Sequence, residues 1–265
     1  MSDRSGRSDR SGEGGGQRGA RARMREQQER DRAREKRRRV LIVAALGVVV
    51  LGAAALIGVL LSGDDDDEPG GPVTPPKGAT GRDRLVIPAG PANAPATLTI
   101  YEDFRCPACK QFEEAFRDTI HDLQDAGRLR TEYRLVTIID GNLGGTGSRN
   151  AANAAACAQD AGRFTAYHDL LYTHQPEETD DAFADKGRLI DLAGRVDGLD
   201  TEAFRRCVHR GTHDSWVEKS ADAFAGSGHD STPTVLLDGE DIYGDRNEPL
   251  TPRRLRQLVD RAAGE

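Results

Sequence analysis

The chain has 265 residues, with 37 Lys and Arg against 44 Asp and Glu, a formal net charge of −7 and 37% hydrophobic residues. The charge is unevenly divided: residues 1–39 carry 14 Lys or Arg against 7 Asp or Glu, which leaves −14 for the remainder. So acidic a body excludes nucleic acid as its expected partner. The basic tail is read as a topology signal, with nucleic-acid binding as the weaker alternative.

Residues 1–39 contain almost nothing apolar to bury and are expected to be disordered. Residues 40–61, VLIVAALGVVVLGAAALIGVLL, are uncharged and match the ~20 apolar residues that cross a bilayer as one helix. Lys36, Arg37, Arg38 and Arg39 precede this run, and Asp64, Asp65, Asp66, Asp67 and Glu68 follow it. The cationic side stays cytoplasmic, so everything beyond residue 62 is expected outside the membrane. A cleaved signal peptide is the rival reading, but its apolar core runs roughly 7–15 residues and ends in a small-x-small site that is missing here. Residues 62–82, acidic and then rich in Pro and Gly, read as a linker with a reach of roughly 25 Å. Residues 83–265 are left to fold.

Within that part, LVIPAG (85–90) and ATLTIYED (96–103) read as strands. From Pro107 the apolar residues Cys109, Phe112, Phe116, Ile120 and Leu123 recur at helical spacing, with Glu113, Glu114, Arg117 and Asp118 assigned to the other face. RTEYRLVTIID (130–140) reads as a further strand. A helical block follows: Ser148 to Asp160, then FTAYHDLLYTH, DKGRLIDLAGRV, DTEAFRRCVHR and DSWVEKSADAFAG. STPTVLLDGED (231–241) and DIYGD read as strands joined through Asp238-Gly239, a hairpin signal, and a last helix from Pro252 to Ala263 is capped by Thr251. This is an α/β order with a helical insertion at about 142–228.

Cys106 and Cys109 lie three apart at a helix start, a spacing that a disulfide accepts. Unpaired amides and the helix dipole favour an anion at Cys106, and Pro107 suits the first helical position. Thiols so placed have pKa values of roughly 3.5 to 7.5 against about 8.5 for free cysteine. Arg105 and Lys110 are expected to add positive charge, and Cys109, on the apolar stripe, to be buried. Asp103 either opposes the thiolate or is a solvated carboxylate at a strand end. Redox chemistry is the preferred reading of the pair. A zinc half-site is weakened because Cys157 and Cys207 supply no matched second pair, although His209 lies near Cys207. A purely structural staple is the other alternative, and so short a loop restricts the unfolded chain little. Cys157 and Cys207 pair with each other if the first pair closes on itself; two free buried thiols, or a second redox pair, remain open. GNLGGTG (141–147) sits where a phosphate loop would, but lacks the G-x-G-x-x-G spacing and a following Gly-Lys-Ser/Thr. His168 and His174 are read as packing or surface residues.

YEDFRCPACKQFEEAF (101–116), followed after a helical block by STPTVLLDG (231–239), resembles the DsbA-like thiol-disulfide oxidoreductases of the thioredoxin superfamily, in the membrane-anchored form of actinobacteria. The resemblance covers residues 83–263 and implies a thioredoxin fold with a helical insertion. It implies that Cys106 is the nucleophile and Cys109 the resolving cysteine, that Pro233 is cis, and that Thr232 pairs with substrate backbone. It also implies re-oxidation by a quinone-linked membrane partner. Strongly oxidising members carry histidine between the cysteines, whereas this chain has Pro107-Ala108. The resulting expectation is a single-pass membrane protein whose extracytoplasmic domain exchanges disulfides with secreted or membrane proteins. It acts as an oxidase without cofactor or metal. A reductase or isomerase of the same fold, and a non-enzymatic binding module stapled by disulfides and tethered to the membrane, are the alternatives.

Overall fold

The structure, a computed structural model, describes residues 72–245 and 248–264. The expected cytoplasmic tail, the transmembrane helix and residues 62–71 of the linker lie outside the described residues. No helix among the described residues is long and apolar enough to cross a membrane.

Five strands, β1 (Ile87–Ala89), β2 (Ala96–Glu102), β3 (Leu129–Leu135), β4 (Thr234–Leu237) and β5 (Glu240–Asp241), form one sheet in the order β1-β3-β2-β4-β5. β2 and β3 run parallel, with Ala96 opposite Leu129 and Glu102 opposite Leu135; every other pairing is antiparallel. Parallel neighbours need a crossover, which helix α1 (Pro107–Asp125) supplies. Ala96, Leu98, Ile100 and Glu102 on β2, and Leu129, Thr131, Tyr133 and Leu135 on β3, are the fully buried alternate residues. α1 covers that face, its Gln124 Nε2 donating to Thr131 Oγ1 at 2.7 Å. The expected stripe from Cys109 to Leu123 is buried, and the Phe112 and Phe116 rings stack at 4.8 Å.

The helical block comprises α2 (Ile138–Leu143), α3 (Gly147–Asp160), α4 (Phe164–Thr173), α5 (Lys186–Ala193), α6 (Glu202–Arg210) and α7 (Asp214–Ala225). α3 is its axis. Its alanines 151, 152, 154, 155, 156 and 158 are all buried, and their small side chains let α4, α5, α6 and α7 pack around it. α7 reaches the other face of the sheet, where Phe224 packs on Tyr101 at 5.1 Å. α8 (Pro252–Ala262) closes the chain against α1, and Thr251 caps it by accepting from the Arg254 amide.

Three expectations are corrected. The strand read over 130–140 ends at Leu135, and Ile138 to Leu143 is helical. The β-branched run Thr137-Ile138-Ile139 suits a strand, but the Val136 amide already donates to the Glu102 carbonyl and the Ile139 amide to the Asp103 carboxylate, both at 2.9 Å. Those tertiary bonds override local propensity. FTAYHDLLYTH forms its own helix as expected, set off from α3 because Gly162 at φ 67° lets the Arg163 amide return to the Ala158 carbonyl. DIYGD contributes only Asp241 to β5: its carboxylate accepts the Tyr243 and Gly244 amides and turns the chain. The Asp238-Gly239 hairpin forms as expected, with φ 49° and 90°. Residues 74–80, read as linker, lie against the domain: the Lys77 amide donates to Asp160 at 2.6 Å, and Thr80 bridges Val86.

Candidate active site

β2 delivers the chain to the site. The Cys106 amide donates to the Asp103 carbonyl at 3.0 Å, forming a tight turn after which Pro107 opens α1. Cys106 is the N-cap residue, with φ −75° and ψ 118°, next to the unpaired amides of the first helical turn, and those of Ala108 and Cys109 favour its charged form. Cys106 and Cys109 are both thiols, the first 7% exposed and the second fully buried. The Cys106 thiol donates to the Thr232 carbonyl at 3.3 Å, and Thr232-Pro233 is the cis peptide bond. The two stretches on which the resemblance rested therefore meet, across 126 residues of sequence.

The two thiols differ. The Cys106 pKa is lowered to about 6: a hydrogen bond from the Cys109 side chain is the largest cause, burial opposes it, and the Thr232 side chain and the Cys109 and Ala108 amides assist. Cys109 is pushed well up by burial and then by the neighbouring Cys106 charge. This is the asymmetry expected of a nucleophile and its resolving partner. The amides contribute as expected, but the Arg105 guanidinium is engaged elsewhere. Nη1 donates to Asp140 at 2.7 Å and to the Gly144 carbonyl at 2.9 Å, and Nη2 donates to the Glu178 carbonyl at 3.1 Å. Lys110 Nζ lies 4.0 Å from Glu114.

Asp103 is fully buried, not a solvated strand-end carboxylate. Its oxygens accept the Arg105 amide at 2.8 Å and the Ile139 amide at 2.9 Å, and burial raises its pKa to about 7. The glycines of GNLGGTG do other work than holding phosphate. A β-carbon at Gly145 or Gly147 would overlap the Asp181 carboxylate, which accepts the Thr146 and Gly147 amides and lies 3.0 Å from Arg105.

Sequence reasoning missed a buried polar cluster behind α1. His168, read as a packing or surface residue, is fully buried, with Nε2 2.7 Å from Glu102 and Nδ1 3.2 Å from Asp169. Glu113, assigned to the polar face, is also buried, and burial raises its pKa to about 8. Burial alone would lower the His168 pKa, but the Glu102 and Glu113 carboxylates more than offset this and raise it. The signal was present: Glu102 has the inward parity of Leu98 and Ile100, and Glu113 stands four residues after Cys109 on the apolar stripe. Tyr243 was also missed. It packs edge-on to Phe112 at 5.3 Å and feels the charge of both cysteines.

Donor atoms of Glu102, Glu113 and His168 lie within 4.8 Å of one another, as do those of Cys157, Cys207 and His213. In the second group both sulfurs are engaged in the Cys157–Cys207 disulfide, which joins α3 to α6 with the α-carbons 5.9 Å apart. In the first, the short His168–Glu102 contact and the raised Glu113 pKa describe groups that share protons. Neither Cys106 nor Cys109 belongs to a three-ligand group among the described residues.

Glu113→Gln tests the cluster. Below pH 4.5 Glu113 is protonated whether the chain is folded or not. Between pH 4.5 and 8 only the unfolded chain releases the proton, so stability falls as pH rises, then levels off. Asp103 and His168, also raised, act in the same direction. The substitution is expected to flatten the fall in melting temperature between pH 5 and 8 and to stabilise the protein at pH 8 by on the order of 3 kcal/mol. An unchanged slope would show that Glu113 ionises freely.

A family model described as thioredoxin matches residues 84–261. DsbA from Mycobacterium tuberculosis, in its reduced crystal structure, is similar with a TM-score of 0.59 and 27% identity, over 68% of this chain and 93% of that one. Disulfide bond formation protein D of Bacillus subtilis is 29% identical over 58% of this chain and 68% of its own length. Na(+)/H(+) antiporter NhaA 3 of Salinispora tropica is 33% identical over 60% of this chain, a match that spans only 22% of the antiporter. A family match that runs from the first described strand into the last helix makes this chain a member of the thioredoxin family.

Proposed function

We propose that the chain is an extracytoplasmic thiol-disulfide oxidoreductase that introduces disulfides into secreted or membrane proteins. One observation carries the reading. Cys106, its pKa lowered to about 6, faces the carbonyl of the cis Thr232-Pro233 bond, while its partner Cys109 is buried with its pKa raised. In the oxidised enzyme a substrate thiolate attacks the Cys106 sulfur. The Cys106–Cys109 bond breaks, and Cys109 takes up the electron pair and a proton. A second substrate thiolate then attacks the substrate sulfur of the mixed disulfide, and Cys106 leaves as a thiolate. A stabilised leaving thiolate favours the reduced enzyme and hence oxidation of substrate.

Thr232 and Pro233 would hold the substrate backbone at the mouth of the site, and the Cys157–Cys207 bond would act as a structural staple. The name of the bacillar relative, disulfide bond formation protein D, supports the oxidising direction. Membrane attachment through residues 40–61, with residues 1–39 cytoplasmic and 62–71 as linker, rests on the apolar run and its charged flanks. A quinone-linked membrane partner for re-oxidation rests on the family resemblance alone.

The test is titration of the full-length protein against glutathione, with each cysteine assigned by alkylation and peptide mass spectrometry. The expected result is an alkylation midpoint for Cys106 near pH 6 and a reduction potential of about −120 to −180 mV. A potential of about −270 mV or lower would reverse the direction to a reductase. A Cys106 inert to alkylation after mild reduction would favour the binding module.

A further inference from the structure

The turn that presents the nucleophile is held from outside the sheet. Gln175, 8% exposed and just beyond the end of α4, donates through Nε2 to the Phe104 carbonyl at 2.9 Å and to the Cys106 carbonyl at 3.0 Å. Arg105, 2% exposed, reaches the opposite way: to Asp140 on α2, to the Gly144 carbonyl, and to the Glu178 carbonyl and Asp181 carboxylate of the connector between α4 and α5. Asp140 and Asp181 are themselves fixed, because they accept the amides of Ser148 and Arg149 and of Thr146 and Gly147 at the start of α3. Asp103 ties the same turn to the start of α2. Every residue from Asp103 to Cys106 is thus bonded to the helical insertion, either through its own atoms or through the amide of Gln175.

We propose that Gln175 and Arg105 are positioning residues, which with the connector 175–181 clamp the turn 103–106 so that the first amides of α1 stay aimed at the Cys106 sulfur. The proposal rests on the oxidoreductase reading and extends it, since it makes the insertion part of what sets the chemistry of Cys106. Neither side chain touches the sulfur. Both act through the backbone: Gln175 holds the very peptide whose carbonyl accepts the first helical bond, from the Lys110 amide at 3.2 Å. Releasing that peptide lets the cap residue rotate, and the amides of Ala108 and Cys109 then solvate the thiolate less well.

Gln175→Met keeps the length of the side chain and removes both donors. In the full-length protein its expected effect is a Cys106 alkylation midpoint at least half a pH unit higher, about a threefold loss of thiolate at a fixed acidic pH. The glutathione equilibrium should move by a similar factor toward the Cys106–Cys109 disulfide. Arg105→Lys keeps the charge but loses the forked geometry, and should move both quantities in the same direction. It serves as the second reading should Gln175→Met fail to fold. A cooperatively melting variant whose midpoint and equilibrium both stay within about twofold of the parent, a shift under ~0.5 kcal/mol, overturns the clamp. The two readings fail separately: a parent protein whose own Cys106 shows no acid-shifted midpoint overturns the oxidoreductase reading before any variant is compared.

Discussion

Cys106→Ser is expected to abolish disulfide transfer, and Cys109→Ser to accumulate mixed disulfides with substrate proteins. The contrast follows from the unequal burial and unequal pKa values of the two thiols. Without the Cys106 sulfur, no atom at the helix start can be attacked, because Cys109 has no exposed surface. Without Cys109 there is no Cys106–Cys109 bond for a substrate thiolate to attack. The Cys106 thiolate attacks a substrate disulfide instead, the other substrate sulfur leaves as a thiolate, and no enzyme thiol remains to release the adduct. Initial rates with a reduced peptide carrying two cysteines should fall by at least about 10³-fold for Cys106→Ser, as for loss of an essential nucleophile. Non-reducing electrophoresis should show Cys109→Ser adducts that disappear with a reductant. A Cys106→Ser variant that still turns over would sink the mechanism, and a Cys109→Ser variant free of adducts would remove Cys109 from the resolving role.

The second large effect concerns Cys157 and Cys207. Their bond closes a separation of 50 residues between α3 and α6. On the chain-entropy estimate, removing it destabilises the domain by roughly 4 kcal/mol, and the melting temperature should fall by about 10 °C. The expected outcome for Cys157→Ala with Cys207→Ala is this fall with the Cys106 alkylation midpoint unchanged, since the bond lies far along α3 from the residues that hold the active-site turn. An unchanged melting temperature would remove the staple role. A midpoint that moved with the bond would make the second pair part of the redox chemistry.

Much of this site could be read from the sequence, because its central pieces are local. The place of Thr232-Pro233, 126 residues away, was implied by the family resemblance, whereas a proline after a cysteine at a strand-to-helix boundary and a second cysteine three positions on carry their meaning within a few residues. Helix α1, β2 and the Asp238-Gly239 hairpin were legible for the same reason. What escaped was decided by distant partners. Glu113 read as polar surface because carboxylates usually are, and the opposing His168 from α4 is what makes its burial beside Glu102 tolerable. Arg105 read as a charge beside the thiol, yet Asp140 and Asp181, 35 and more residues ahead, draw it elsewhere. Ile138 to Leu143 became a helix because Asp103 holds its first turn.

The sheet order has a consequence for how the molecule is made. β2, which leads into the turn before Cys106, is completed on one side by β3 soon after it in the chain, but on the other by β4, which follows the whole helical block. Pairings of such long range are the slow ones in folding, because the intervening chain must be ordered before they close. In the chain, the cysteine pair therefore comes 126 residues ahead of the peptide that Cys106 meets in the folded domain. A chain that stopped short of β4 would lack both the antiparallel partner of β2 and the Thr232 carbonyl to which the Cys106 thiol donates.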